Sequence, residues 1–295
     1  LGGGFDVSDE ARRLAHEATP RAVAGRAAMR TAMQVAGERR VIVDVAGIRA
    51  TAPGQAAYRC LLVQAKDEMD RLRSRSGFDP LAQVDEMAVI DGLPFARGRY
   101  EGVDWEKMRP GDGATAEPHG EKGMLYLDGD RGVAVWDGQI LIGDGNRDQL
   151  EAALDRIEGR IPADPDIEPL AGTSGQLKAD DLFEVLPIAY DVAEPVRTYL
   201  EEHGGPLTFA VAVAADGVRV SVHFQGDEEL QSTLGAALEA ARGGGVVEEL
   251  RERFGDLLKN MEIKKENDGL LVQVFAPMAA LQQLMGPCAL EGEEP

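Results

Sequence analysis

Residues 207–225 read LTFAVAVAADGVRVSVHFQ, with apolar side chains alternating with small or polar ones on both sides of Asp216-Gly217. Such alternation is typical of strands with one buried face, and Asp-Gly between two such runs is the strongest short signal for a β-hairpin. A two-residue loop at Asp216-Gly217 predicts three apolar cross-strand pairs on one face of the hairpin. These pairs are Val213 with Val220, Val211 with Val222, and Phe209 with Phe224.

The same dipeptide recurs at Asp137-Gly138 and at Asp268-Gly269, again between apolar runs. The first predicts that Val135 faces Ile140 and that Val133 faces Ile142, in a meander whose preceding turn is Asp128-Gly129. The second predicts that Ile263 pairs with Val274 and that Lys265 pairs with Val272. We therefore expect antiparallel sheets that are rich in hairpins.

Long helices are predicted beside these hairpins. From Gln55 to Arg75, apolar residues recur at spacings of three and four, which predicts one helix with an apolar stripe toward a sheet and Cys60 well outside it. The stripe comprises Tyr58, Leu61, Leu62, Ala65, Met69 and Leu72. Asn146 and Gln149 have the spacing of a capping box. Further helices are predicted at 181–202, broken by Pro187 and Pro195, and at 228–242, 246–259 and 278–285.

The order of these elements predicts an α+β protein with two similar lobes and an N-terminal helical segment. Each half ends in a hairpin followed by a helix, which suggests an internal duplication. The prolines and glycines of residues 161–175 are typical of a linker, and those of residues 109–121 predict a loop. Short strands are predicted at Val41–Val45 and Gln176–Ala179. The predicted divisions are a basic segment at 1–40, a first α+β unit at 41–160, that linker, a second unit at 176–287 and an acidic tail at 288–295.

The net charge of −21 repels phosphate backbones over most of the surface, so we expect no nucleic-acid partner. A hydrophobic content of 44% is ordinary for a globular protein, and no apolar run approaches the roughly 20 residues of a membrane span. The N-terminal segment departs from this acidity because arginines outnumber glutamates between Ala11 and Arg40. That segment could dock on the acidic body or contact an anionic membrane surface.

No motif for catalysis, cofactor binding or metal binding is found, so we predict no catalytic, cofactor-binding or metal-binding residues. Asp144, Asn146 and Asp148 are spaced like the start of a calcium loop, but Gln149 stands where that loop needs glycine. Helix capping is therefore the preferred interpretation. The four histidines, His16, His119, His203 and His223, are far apart in sequence, and only His223, on the wetter sheet face, is a candidate for any site.

Three stretches resemble a duplicated α+β family of bacterial cell-envelope proteins, whose members are mostly uncharacterised. They are Val41-Ile42-Val43-Asp44-Val45-Ala46, Gly77-Phe78-Asp79-Pro80-Leu81, and residues 132–145 before a helix. The segment from Ala96 to Glu101, before Trp105, is similar to the step from strand to short helix in that family. The resemblance covers mainly residues 41–158, carries no functional residues, and implies a location outside the cytoplasm behind an anchor or signal. Leu1 and the glycines after it also suggest a flexible leader preceded by further sequence.

An extracytoplasmic location would allow a disulfide between Cys60 and Cys288, the two cysteines of the chain, with two unrelated thiols as the alternative. The leading functional hypothesis is a non-catalytic envelope or secreted module that binds another protein. One alternative is a carrier of an apolar, lipid-like ligand, in a cavity lined by Leu61, Met69, Val211 and Val222. A third is a hydrolase that uses carboxylates gathered in a cleft.

Overall fold

The computed structural model describes most of the chain. The described residues are 19–35, 39–108, 115–167, 170–177, 207–243, 257 and 259–285. The helices predicted at 181–202 and 246–259 lie wholly or largely outside these ranges. So does the tail at 288–295.

The strands of the described residues form one antiparallel sheet. They are β1 (Arg40–Val43), β2 (Val84–Ile90), β3 (Leu93–Gly98), β4 (Thr115–His119), β5 (Gly123–Asp128), β6 (Arg131–Trp136), β7 (Ile140–Asn146), β8 (Thr173–Leu177), β9 (Leu207–Ala214), β10 (Gly217–Gln225), β11 (Met261–Glu266) and β12 (Gly269–Pro277). Their order in the 12-stranded sheet is β11-β12-β10-β9-β8-β1-β2-β3-β7-β6-β5-β4. The α+β class and the antiparallel hairpins are thus confirmed, whereas the expected pair of similar lobes is not shown.

Helices occur along the whole described chain. They are α1 (Pro20–Met33), α2 (Val45–Arg49), α3 (Ala52–Gln64), α4 (Lys66–Ser76), α5 (Pro80–Gln83), α6 (Arg147–Ile157), α7 (Glu228–Arg242) and α8 (Met278–Met285). Their N-termini follow local capping chemistry, as at α1, where the Thr19 hydroxyl accepts from the Ala22 N–H and Pro20 begins the helix. The capping box predicted from Asn146 and Gln149 is present at α6.

The chain folds into two compact units that are not continuous in sequence. The first unit comprises the described residues of 1–36, 71–87 and 92–170, and the second those of 37–70, 88–91 and 171–295. The domain boundaries and the internal duplication that the sequence suggests stay predictions.

In the first unit, α6 buries one apolar face against the sheet. Leu150, Ala153 and Leu154 are fully buried, and α6 contacts β5, β6 and β7. Helix α1 packs on α6 with an alanine- and methionine-rich face that includes Ala22 and Met29. Each large side chain buried in this way contributes about 1.5–3 kcal/mol to stability.

The long helix predicted from Gln55 to Arg75 is instead two helices. Helix α3 ends at Gln64, Ala65 is its C-cap, and α4 begins at Lys66. The predicted apolar stripe is also wrong at Leu61, which is 50% exposed, whereas Cys60, placed outside the stripe, is 8% exposed. The Ala65 backbone, with φ of −106° and ψ of 12°, departs from helical geometry, so one continuous helical period does not describe both helices.

The register predicted across Asp137-Gly138 is wrong by one residue. Val135 pairs with Leu141 and Trp136 with Ile140, because Gln139 stays outside the ladder and its N–H bonds to the Trp136 carbonyl at 2.9 Å. A slip of one residue exchanges the faces of a strand. Val135 therefore does not share a face with Ile140, and a second irregularity lies between Gly132 and Ala134.

The registers predicted in the second unit are wrong by two residues, which preserves the faces. Val213 pairs with Val218 instead of Val220, and Ile263 pairs with Val272 instead of Val274. The turns are Ala215-Asp216 and Asn267-Asp268, so each glycine is the first residue of the following strand. The apolar residues of these hairpins still share one face.

Other predicted elements differ in extent. The loop predicted at 109–121 contains strand β4, with Pro118 on the last strand of the sheet, where proline is tolerated. The short strand predicted at Gln176–Ala179 is β8, Thr173–Leu177, which begins inside the predicted linker. The strand predicted through Val45 ends at Val43, because the Asp44 carboxylate accepts from the Gly47 N–H at 2.8 Å and caps α2.

Candidate functional site

Strands β9 to β12 present two faces of different character. On one face, called the inner face, apolar residues meet across the strands, as where Val211, Val220 and Val274 pair in a row. On the opposite face, called the outer face, Ala212 pairs with Arg219 and Arg219 with Phe275. Two further outer rows are Ala210–Ser221–Gln273–Glu262 and Thr208–His223–Leu271–Lys264.

The inner face carries the core of the second unit. Leu230 and Leu234 of α7 pack against Leu207, Phe224 and Leu270, all of them buried. This packing explains why apolar and polar residues alternate along the strands, since one face of each strand is removed from water.

The outer face is open to solvent along β9. Its four side chains there, Thr208, Ala210, Ala212 and Ala214, are all exposed. Polar contacts link the neighbouring strands, because the Gln273 amide donates to the Ser221 hydroxyl at 3.0 Å and accepts from the Lys264 ammonium at 3.1 Å.

Apolar side chains lie among these polar groups on the outer face. Phe275 and Leu271 are half-buried, and the Arg219 guanidinium lies 5.9 Å from the centroid of the Phe275 ring. A cation at that distance is attracted to the face of the ring. The outer face thus combines small alanines, two larger apolar side chains and a stacked arginine.

His223 is on the outer face, as the sequence predicted for its wetter side. Its ring lies near Glu266 at the end of β11 and Asp268 in the turn before β12. These carboxylates could not be connected with His223 from the sequence, because 43 and 45 residues separate them and only the pairing of β10 with β12 brings them together. His16 and His203 lie outside the described residues.

His119 belongs to a paired cluster at the end of α6 in the first unit. Its Nε2 lies 2.7 Å from Asp155 Oδ1, and Arg160 Nε donates to the same oxygen at 2.7 Å. Burial would raise the pKa of Asp155, but the hydrogen bonds from His119 and Arg160 outweigh it and hold the pKa below its usual value.

Glu158, next to this cluster, anchors a turn. Its carboxylate accepts from the backbone N–H groups of Glu121 and Lys122, both at 2.9 Å. Burial opposes ionisation of Glu158, yet these two hydrogen bonds and nearby Arg160 lower its pKa. A general acid at neutral pH needs a raised pKa, so neither Asp155 nor Glu158 has that property.

The other candidates from the sequence have structural roles. Asn146 Oδ1 accepts from the Gln149 N–H at 2.9 Å and Gln149 Oε1 from the Asn146 N–H at 3.0 Å, so this segment caps α6 as expected. Asp85, which no sequence motif marks, is buried in the first unit, and its carboxylate lies 3.5 Å from Arg99 Nε, whose positive charge compensates it. Phe78 and Trp136 are buried in the core, as is typical of large aromatic side chains.

No protein family matches the sequence, and no curated protein matches it either. Three crystal forms of TP0453, a protein of Treponema pallidum, are similar in structure. Form III has a TM-score of 0.49 at 10% identity and covers 88% of this chain and 97% of that chain. Form I has a TM-score of 0.48 at 11% identity with the same coverage, and form IV 0.46 at 10% identity, covering 86% and 94%. At these values the similarity transfers no site to this chain.

Among the described residues, no helix has both the length and the apolar character that crossing a bilayer requires. The described part of the basic N-terminal segment is α1, which packs on α6 and places Arg21 against Asp137. Contact of this segment with a membrane surface stays a prediction.

Proposed function

We propose that this protein is a non-catalytic interaction module of the cell envelope, and that the outer face of β9 to β12 is the surface on which a partner protein docks. The observation that carries the proposal is the open row of Ala210, Ala212 and Ala214 beside Arg219 and Phe275. Protein interfaces combine an apolar centre with a polar rim and are enriched in arginine and aromatic residues.

The small side chains of β9 define the kind of partner. Alanine side chains project only a short distance from the sheet, so a flat surface of a partner can approach the strands closely. Sheets that pack face to face lie about 10 Å apart, a distance that short side chains on one side favour. We propose a partner that lays a strand or sheet surface over the outer face, with apolar side chains toward Phe275 and Leu271.

The state of Cys60 supports the proposed compartment. Cys60 is disulfide-bonded, and Cys288, with which the pairing is expected, lies outside the described residues. Structural disulfides persist in oxidising compartments and are rare in the cytosol. We expect an intact protein mass two hydrogens lower before reduction than after it, and recovery of the native protein in envelope or secreted fractions.

A photo-crosslinking amino acid placed at Ala212 in cells of the native host tests the docking surface. Ala236 of α7 is the matched control, since it is an exposed alanine of the same unit on a different element. We expect one adduct of defined mass from Ala212, absent from Ala236. The variant with Ala210→Arg in addition should lose that adduct, because a long charged side chain would separate the two surfaces.

Two outcomes would contradict docking on the outer face. One is equal labelling from Ala212 and Ala236, which would indicate random encounters. The other is an adduct that persists at full yield with Ala210→Arg while circular dichroism shows an unchanged fold, which would place the partner elsewhere.

The alternatives receive less support. The carrier hypothesis requires Leu61 to line a cavity, but Leu61 is 50% exposed. The hydrolase hypothesis requires a carboxylic acid held protonated near neutral pH, whereas the shifted carboxylates of the described residues, such as Glu117 and Glu262, all have lowered pKa values. The main cause of the lowered pKa is a hydrogen bond from Arg147 for Glu117 and from Lys264 for Glu262.

A further inference from the structure

His223, Glu266 and Asp268 form a cluster at one corner of the outer face. The His223 Nε2 atom lies 3.5 Å from Asp268 Oδ1 and 3.7 Å from Glu266 Oε2. One ligand atom from each of the three residues lies within 4.8 Å of the others. These residues come from β10, the end of β11 and the turn before β12, so the pairing of three strands creates the cluster.

The Nε2 atom of His223 is buried and, within the described part of the chain, makes no hydrogen bond. Its distances to the two carboxylates exceed those of N–H···O hydrogen bonds, which are about 2.7–3.2 Å. A buried polar nitrogen without a partner is costly, and each such atom in a native structure needs an explanation. A metal ion between the nitrogen and the two carboxylate oxygens would explain the unpaired nitrogen.

The spacing fits a small tetrahedral cation. Ligand atoms about 2.0–2.1 Å from zinc at tetrahedral angles stand about 3.4 Å apart. The two distances from His223 Nε2, 3.5 and 3.7 Å, are close to this value. All three ligand atoms lie within 4.8 Å of one another, a separation that rotation of the two carboxylate side chains can reduce. Imidazole favours zinc over calcium or magnesium, which bind oxygen ligands, and both carboxylates belong to exposed residues that can adjust.

The backbone around the cluster is held in place. The Glu266 carbonyl accepts from the side chain of buried Gln231 at 3.1 Å, and the Asp268 carbonyl accepts from the Gly226 N–H at 3.0 Å. Gly269 provides room for the ring, because a Cβ there would lie 2.9 Å from His223 Nε2. Partners that fix ligand-bearing segments strengthen metal binding.

We propose that His223, Glu266 and Asp268 form a zinc-binding site, with the histidine Nε2 and one oxygen of each carboxylate as ligands and the fourth position open to solvent. The site lies in a single compact unit, and the zinc-binding proposal does not depend on the proposed docking function. It would bind one divalent transition-metal ion per chain through these residues.

Calorimetric titration of the purified full chain with zinc chloride tests the site. We expect wild type to bind zinc with a component that His223→Gln weakens by more than about 100-fold, since loss of an outer partner alone costs 10–100-fold. His119→Gln is the matched control, because it removes a histidine of the first unit and should leave that component unchanged. Calcium chloride should not displace the zinc.

Two exposed, nearly isosteric variants keep the proposal testable if His223→Gln disturbs folding. Glu266→Gln and Asp268→Asn should each weaken zinc binding at least about tenfold while circular dichroism stays native. Zinc should raise the melting temperature of wild type and His119→Gln, but raise it much less in Asp268→Asn. In nuclear magnetic resonance spectra, zinc should shift the His223 Nε2 signal.

Equal zinc affinity in wild type and His223→Gln would overturn the proposal. So would a wild-type chain that binds no zinc at millimolar concentration. That second result would make the cluster an ordinary ion pair.

Discussion

Two kinds of Asp-Gly corner occur in the described chain, and they differ in their backbone. At Asp91-Gly92 and Asp137-Gly138, both residues have positive φ, 46° and 85° in the first corner and 51° and 62° in the second. These angles are those of a type I′ turn. Neither Asp216 nor Asp268 has positive φ, and each following glycine is already paired in a strand.

The glycines of the second unit provide space instead of a turn. A Cβ at Gly217 would lie 2.3 Å from the Ala276 carbonyl oxygen, and one at Gly269 would lie 2.1 Å from that of Phe224. At Gly92 a Cβ would meet nothing within 4 Å. The same dipeptide therefore has two roles. It provides a left-handed backbone at Asp91-Gly92 and Asp137-Gly138, and it allows the close approach of a neighbouring strand at Gly217 and Gly269.

Gly269→Ala should have the largest effect. The added methyl group meets a backbone oxygen that cannot rotate away and also the His223 ring, so we expect a loss of about 3 kcal/mol or more in unfolding free energy. Urea denaturation measures that loss, and zinc binding should weaken with it. A loss below about 1 kcal/mol would contradict the close-approach role of Gly269.

Gly217→Ala should cost somewhat less, about 2–3 kcal/mol. Its nearest obstacle is also a backbone oxygen, but Gly217 lies at the first pair of β10 with β12, where the strand end can shift. Hydrogen exchange should show the loss of protection concentrated in β10 and β12. Uniform loss across the chain would indicate a general weakening instead of a local clash.

These two glycines also show how far the sequence could be interpreted. The inner and outer faces of β9 to β12 were predictable, because a register error of two residues leaves each side chain on its face. The register differs by two residues because Gly217 and Gly269 lie in strands and not in the turns, where each allows the close approach of a strand that is distant in sequence. In the first unit an error of one residue, caused by Gln139 outside the ladder, exchanged the faces.

Contacts distant in sequence limited the candidate site in the same way. His223 could be singled out from its alternating strand, but Glu266 and Asp268 join it only through the pairing of β10 with β12. The capping box at α6 was predictable because all its atoms lie within four residues. Features formed by residues close in sequence could thus be predicted, whereas the strand order that places β8 beside β1 could not.

Glu158→Gln tests a corner of the first unit that a side chain stabilises. Gly120 has φ of +72°, and the Glu158 carboxylate binds the next two N–H groups. Hydrogen bonds to a charged acceptor contribute about 1.5–3 kcal/mol, so we expect a loss of about 1.5 kcal/mol at neutral pH, measured by urea denaturation.

The acid dependence of the same variant follows from the lowered pKa of Glu158. A carboxylate whose folded pKa is below its unfolded value of 4.5 stabilises the fold above that value, and the contribution is lost as the pH falls through the folded pKa. The difference between wild type and Glu158→Gln should therefore shrink as the pH falls below about 4.5. A difference that stays constant into strong acid would assign the loss to packing.

Gly92→Ala should have the smallest effect and separates the two kinds of corner most directly. Only the left-handed backbone opposes the methyl group, at about 1 kcal/mol, because the space around it is empty. Asparagine tolerates that backbone better than alanine, so Gly92→Asn should lose less stability than Gly92→Ala in urea denaturation. At Gly217 the order should reverse, because the larger side chain worsens the contact with the Ala276 carbonyl. The same order at both positions would mean that the two kinds of corner do not differ in the way proposed.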